Sequence, residues 1–156
     1  MDLQEAYDDA GRDAERARLR RVLLLRAMLA EGKSQREVAA RFGVTQPAIS
    51  YQVARERTDG VRPSELVAAG GSVLRHVAEE QGFTQVAMFG SAARGDDRPD
   101  SDLDLLVQPP AATDAFDMTR LEETLSAVFG RPVDLVSYRG LDPRLDQDIL
   151  RDRVLL

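Results

Sequence analysis

A glycine–proline break at Thr58-Asp59-Gly60-Val61-Arg62-Pro63, without apolar periodicity, divides the 156 residues into two short stretches. The longer stretch has about 94 residues, enough for one small core and no more. Charge changes sign across the break. Residues 10–62 carry 12 Arg/Lys and 6 Asp/Glu, whereas residues 63–156 carry 9 Arg and 17 Asp/Glu. The first nine residues hold four acids and no base. Opposite signs on two stretches imply two units with different partners, expected at residues 10–58 and 64–156. The net charge of −6 therefore does not exclude nucleic acid, because it averages a basic segment with an acidic one.

Composition removes several chemistries. The chain has no cysteine, so disulfides, thiolate nucleophiles and Cys-ligated zinc are excluded. His76 is the one histidine, and its place in a helical pattern marks it as structural or surface. No run reaches the ~18 apolar residues of a membrane span, and the acidic start is unlike a signal peptide. The expected location is cytoplasmic.

In the basic stretch, Leu19, Val22, Leu23, Ala27 and Ala30 recur at helical spacing over Asp13–Ala30, with Asp13 as expected N-cap and Gly32 as stop. Ser34 and Glu37 form a capping box that opens a second helix ending at Phe42. Gly43 suits the left-handed turn after it, and Thr45 can cap a third helix with Pro47 in its first turn. Val38, Ala39, Phe42, Val44 and Ile49 are the expected core. The stretch from Gln35 to Val53 resembles the helix-turn-helix of repressor-type regulators, departing from it at Gln52, where an apolar residue is usual. The resemblance implies double-stranded DNA as ligand and a homodimer on a two-fold site. Thr45, Gln46, Ser50 and Tyr51 would face bases, and Arg36 and Arg55, with Arg41 and Arg57, would face phosphates. A helical hairpin used only for packing or dimerisation is the alternative.

The acidic stretch reads as helix (63–82), strand (84–89), loop, strand (103–107), helix ending at Gly130, strand (132–137) and a last helix (141–150). That order describes a small α/β sandwich. Its chemistry is concentrated between Val86 and Val107. Asp102 and Asp104 alternate with Leu103 and Leu105, so both carboxylates point to one strand face. Adjacent carboxylates repel unless a cation lies between them, and oxygen-only ligands suit Mg²⁺ or Mn²⁺. Gly90-Ser91 follows a strand, where backbone N–H groups and a hydroxyl can receive phosphate.

Gly90-Ser91, ten residues, then Asp102-Leu103-Asp104 resembles the signature of the DNA-polymerase-β-like nucleotidyltransferases, closest to their minimal nucleotidyltransferase group. Phe89, Ala93, Arg94, Gly95, Ser101 and Leu105 also match that group, and the resemblance spans about residues 64–156. It implies an α+β chain: an all-α helix-turn-helix unit followed by a nucleotidyltransferase sandwich with a mixed sheet. By resemblance, Asp102 and Asp104 hold divalent ions, Gly90 and Ser91 hold the β and γ phosphates of ATP, and Asp134 completes the metal site and helps deprotonate an attacking hydroxyl. Arg94 either neutralises phosphate or forms a surface ion pair with Asp96, Asp97 or Asp100.

The group's members are commonly antitoxins that add AMP to a tyrosine of a HEPN-type toxin. A fused DNA reader would add autoregulation of the promoter. The expected function is thus a DNA-binding, antitoxin-like protein adenylyltransferase. One alternative is a transcriptional regulator whose inactive nucleotidyltransferase domain senses a nucleotide. Another is transfer to a small molecule such as an aminoglycoside, disfavoured because only about 19 residues follow Ser137.

Overall fold

The computed structural model describes residues 1–55 and 57–156. Three helices come first: α1 (Leu3–Ala30), α2 (Gln35–Phe42) and α3 (Gln46–Arg55). Helix α4 (Pro63–Glu80) leads into β1 (Thr84–Phe89), the short α5 (Gly90–Arg94) and β2 (Leu103–Gln108). Helix α6 (Ala115–Phe129) crosses to β3 (Val133–Ser137), followed by a 3₁₀ turn (Tyr138–Gly140), α7 (Gln147–Asp152) and β4 (Val154–Leu155). The four strands lie in the order β3-β2-β1-β4, with β2 and β3 parallel and the other pairs antiparallel. The molecule is therefore a mixed α+β fold on a small mixed sheet. Among the described residues, no helix is long and apolar enough to cross a membrane.

Alternation along the strands decides which sheet face is covered. Leu103, Leu105 and Val107 of β2, with Val86 and Met88 of β1, are buried against α4 and α6, which bring Leu66, Leu74, Leu121, Leu125 and Phe129. The residues in between point to the opposite face, where the 3₁₀ turn approaches β2 and α7 approaches β1. Asp104 lies on that second face, toward the N-terminal end of β2.

Helix α1 serves two clusters. Leu19, Leu23 and Ala27 enter the main core beside α4 and α6. Leu25 enters a smaller one with Val38, Ala39 and Ile49, flanked by Met28, Leu29 and Val53. At the crossing of α1 and α4, a Cβ on Gly70 would stand 2.2 Å from Leu23 Cδ1, so any side chain there would displace Leu23. Helix α4 is kinked there (φ −132°, ψ 20°). Arg20 Nε secures the crossing by donating to the Ala69 carbonyl at 2.6 Å.

Local chemistry explains most ends. The Ser34–Glu37 capping box forms reciprocally, at 3.1 and 2.6 Å. Gly43 is left-handed (φ +65°), and Thr45 Oγ1 accepts from Ala48 N–H. Three expectations fail. Asp13 does not start α1: the helix begins at Leu3, where Asp2 accepts from Gln4 and Glu5 N–H and the acidic first residues complement the helix dipole. Phe42 and Val44 are exposed, because Val38, Ala39, Ile49 and Leu25 close the small core without them. The segment expected as one helix over 141–150 is divided between a turn at residues 143–145 and α7, and β4 follows it at the sheet edge.

Candidate active site

Strand β1 ends at Phe89, and the chain turns at Gly90 with φ +69°, a conformation that disfavours any side chain. Space is a second constraint. A Cβ on Gly90 would stand 2.4 Å from Asp104 Oδ2. The turn that presents Ser91 is thus seated directly on the Asp104 carboxylate. Ser91 is half-buried, and its carbonyl accepts from Gly95 and Asp96 N–H, closing the short α5.

The parallel pairing of β2 and β3 sets Asp104 opposite Asp134, so both carboxylates lie on one sheet face. Asp102 precedes β2 by one residue and is exposed, as is Asp134. Burial chiefly pushes the Asp104 carboxyl above its ordinary range, and the neighbouring charges of Asp134 and Asp102 push it further; the Arg94 charge opposes them. Arg94 is ion-paired with Asp96 at 3.5 Å on the surface, not with Asp97 or Asp100.

These donors suit a magnesium-type ion. All are carboxylate oxygens, and a cation would relieve the repulsion centred on Asp104. Among the described residues no three acidic or histidine side chains close into a ligand cage.

Two supports were not legible in the sequence. Arg131, just before β3, is buried with its guanidinium spread over four carbonyls. It donates to Pro99 at 3.3 Å, to Ser101 at 3.1 Å, to Thr58 at 2.8 Å and to Val61. It thereby ties the residue preceding Asp102 to the linker between α3 and α4. Asp97 is also buried, and accepts from Ser64 N–H at 2.8 Å and Ser64 Oγ at 2.9 Å, fixing the loop after α5 to the start of α4. In sequence, Asp97 is one of several loop acids, and nothing separates its role from theirs.

The residues singled out in the basic stretch sit on α2, α3 and their flanks. Thr45, Tyr51, Arg36, Arg41, Arg55 and Arg57 are exposed, and Gln46 and Ser50 are half-buried. Gln46 Nε2 donates to Gln35 Oε1 at 2.6 Å, so α2 orients it. Arg55 lies over the Tyr51 ring, 5.5 Å from its centroid, and donates to its hydroxyl at 2.9 Å. His76 is exposed and touches Glu31 at 3.0 Å, a contact between α4 and the end of α1.

Residues 73–156 match the polymerase beta nucleotidyltransferase family, and the chain belongs to it. A candidate protein adenylyltransferase of Methanocaldococcus jannaschii is 33% identical over 75 residues, covering 48% of this chain and 81% of that protein. The protein adenylyltransferase MntA of Thermococcus cleftensis is 34% identical over 80 residues, covering 51% and 81%. A solved structure of a candidate minimal nucleotidyltransferase superposes with a TM-score of 0.54 at 40% identity, over 60% of this chain and 95% of the other.

Proposed function

We propose that this nucleotidyltransferase moves AMP from ATP to a protein hydroxyl, the tyrosine of a HEPN-type toxin, and so acts as an antitoxin. The observation that carries the reading is the Gly90 turn seated on Asp104, which itself stands opposite Asp134. A phosphate-receiving turn is thus joined to carboxylates fit for a divalent ion. The adenylyltransferase names of the two relatives support AMP as the group transferred.

Asp102 and Asp104, with Asp134, would hold Mg²⁺ or Mn²⁺, which supplies charge neutralisation for the triphosphate when bound. The Gly90-Ser91 turn orients the β and γ phosphates, and Arg94 is within electrostatic reach of the same charge. The acceptor hydroxyl oxygen bonds to the α phosphorus while the bond from that phosphorus to the bridging oxygen breaks. Pyrophosphate leaves with that electron pair, and Asp134 receives the hydroxyl proton. The test is incubation of the full chain with α-labelled ATP, Mg²⁺ and a purified helical protein of the HEPN type. Label is expected on the helical protein, lost with Asp102→Ala or Asp104→Ala. Undiminished labelling by both variants overturns the mechanism.

The same reading assigns α2 and α3 to double-stranded DNA and the module's own promoter, bound by a homodimer. Gln46, held by Gln35, with Thr45, Ser50 and Tyr51, would face bases, and Arg36 and Arg55 phosphates. Promoter binding should weaken steeply with salt and lose sequence preference in Gln46→Ala. Binding insensitive to both refutes it.

A further inference from the structure

Helix α1 carries more apolar surface than its own chain covers. Its first 16 residues, Leu3–Arg18, bury nothing. Yet Leu3, Tyr7, Ala10, Ala14, Ala17, Arg21, Leu24 and Met28 follow strict 4-3 spacing, the seam of a coiled coil with one interruption. Leu3 and Tyr7 are 78% and 79% exposed. At the far end of the seam, Leu24, Phe42 and Val44 are 44%, 53% and 44% exposed. With Leu25, Met28 and Ile49 they line a groove of about 370 Å³ between α1 and the α2–α3 pair. Charge is equally divided along the helix: residues 2–15 sum to −5 and residues 16–30 to +5.

We propose that two copies of this chain pair through antiparallel α1 helices, the Leu3–Tyr7 end of each entering the Leu24–Phe42–Val44 groove of the other. This deepens the homodimer of the proposed function and is independent of AMP transfer, so its failure leaves that reaction standing. Full overlap sets Leu3 against Met28, Tyr7 against Leu24, Ala10 against Arg21, and Ala14 against Ala17. The central alanines allow close approach of the helices. Ala10 leaves room for the Arg21 stem to lie along the seam with its head in water. The arrangement is two-fold and closed, with one patch serving both copies. It is also the one direction in which the charge halves attract. A parallel pair would set −5 on −5 and +5 on +5, which is a repulsive pattern.

Sedimentation equilibrium of the full chain is expected to give twice its 17.2 kDa mass. A monomer at tens of micromolar, a working range that ordinary dimers occupy, overturns the proposal. Direction is read by disulfides, since the chain has no cysteine of its own. An equimolar mixture of Leu3→Cys and Met28→Cys chains is expected to cross-link mainly as the mixed pair under mild oxidation. Predominance of like-with-like pairs overturns the antiparallel register. Ala14→Glu places two acids at the centre of the seam and is expected to give a monomer. Ala14 is exposed within one chain, so the far-UV melting curve of that monomer should match the diluted parent. An Ala14→Glu chain that remains dimeric overturns the interface.

Discussion

Gly90→Ala separates two demands that the Gly90 turn makes on the chain. The first is conformational. Residue 90 has φ +69°, and a side chain there costs about 1–2 kcal/mol. For a chain of 156 residues, each kcal/mol lowers Tm by roughly 2–4 °C. The second demand is space. The new Cβ would lie 2.4 Å from Asp104 Oδ2, so the carboxylate must retreat by about 1 Å to reach ordinary contact. A 1 Å misplacement of a reacting group costs about 10²-fold in rate. Gly95→Ala is the matched control. Its φ is also positive, at +79°, but a Cβ there meets nothing within 4 Å. Both variants should melt a few degrees lower. Transfer of labelled AMP, measured as kcat/KM, should fall about 100-fold in Gly90→Ala and stay within a few-fold in Gly95→Ala. Equal losses in the two variants, or near-parental transfer by Gly90→Ala, would refute the reasoning.

Asp104→Asn should raise Tm at pH 7 while abolishing transfer. Burial and two neighbouring carboxylates raise the Asp104 pKa in the folded state, so that state holds the proton more tightly than the unfolded chain does. Stability therefore falls as pH rises from the ordinary carboxylate range through the raised value, and the advantage of the asparagine should vanish in acid below that range. Added Mg²⁺ and a non-hydrolysable ATP analogue should raise the Tm of the parent and not of this variant. Gly70→Ala forces a methyl group against Leu23 Cδ1, and should cost about 1–3 kcal/mol in urea unfolding. Arg131→Lys gives up the planar fork that spans four carbonyls, and should cost about 1–3 kcal/mol. It should also raise the concentration of Mg²⁺ needed for half-maximal nucleotide binding, since Ser101 adjoins Asp102. An unchanged Mg²⁺ dependence would leave Arg131 a purely structural residue.

The parts of the site that were legible in sequence are those whose meaning is local. Asp104 alternates with Leu103 and Leu105, and period two alone sets it on the face opposite them, whereas Asp102 precedes the strand. Gly90 ends a β-rich run, and turn chemistry explains it, although its contact with Asp104 emerges only when β1 and β2 pair. Arg131 and Asp97 work through partners far along the chain. Arg131 reaches back 73 residues to Thr58, and Asp97 reaches back 33 to Ser64. No spacing rule connects such pairs. Strand β4 has only two residues, too few to show any period. Phe42 and Val44 read as core residues because they are apolar and correctly spaced. Spacing shows which helix face a residue occupies, but not whether the chain itself supplies the cover.

The same distinction governs α1. Its helical pattern is legible from Asp13 onward because the apolar residues that fill this chain's own cores begin at Leu19. The earlier turns continue a different face of the helix, one that makes sense only against a second helix. Leu23 and Leu25 show how tightly the two roles are joined. Two residues apart on a helix, they point about 200° from each other. Leu23 enters the core beneath the sheet and Leu25 the α2–α3 cluster. A rotation of α1 that improved one packing would spoil the other, and Leu23 is further held by its close contact with Gly70. Helix α1 can therefore move only as a rigid rod that takes both clusters with it. A partner seated on its exposed seam would fix the spacing of two α3 helices and the orientation of two carboxylate sites in one step. The acidic and basic halves of the helix thus bear on how the whole molecule is arranged, although neither half touches the reacting groups.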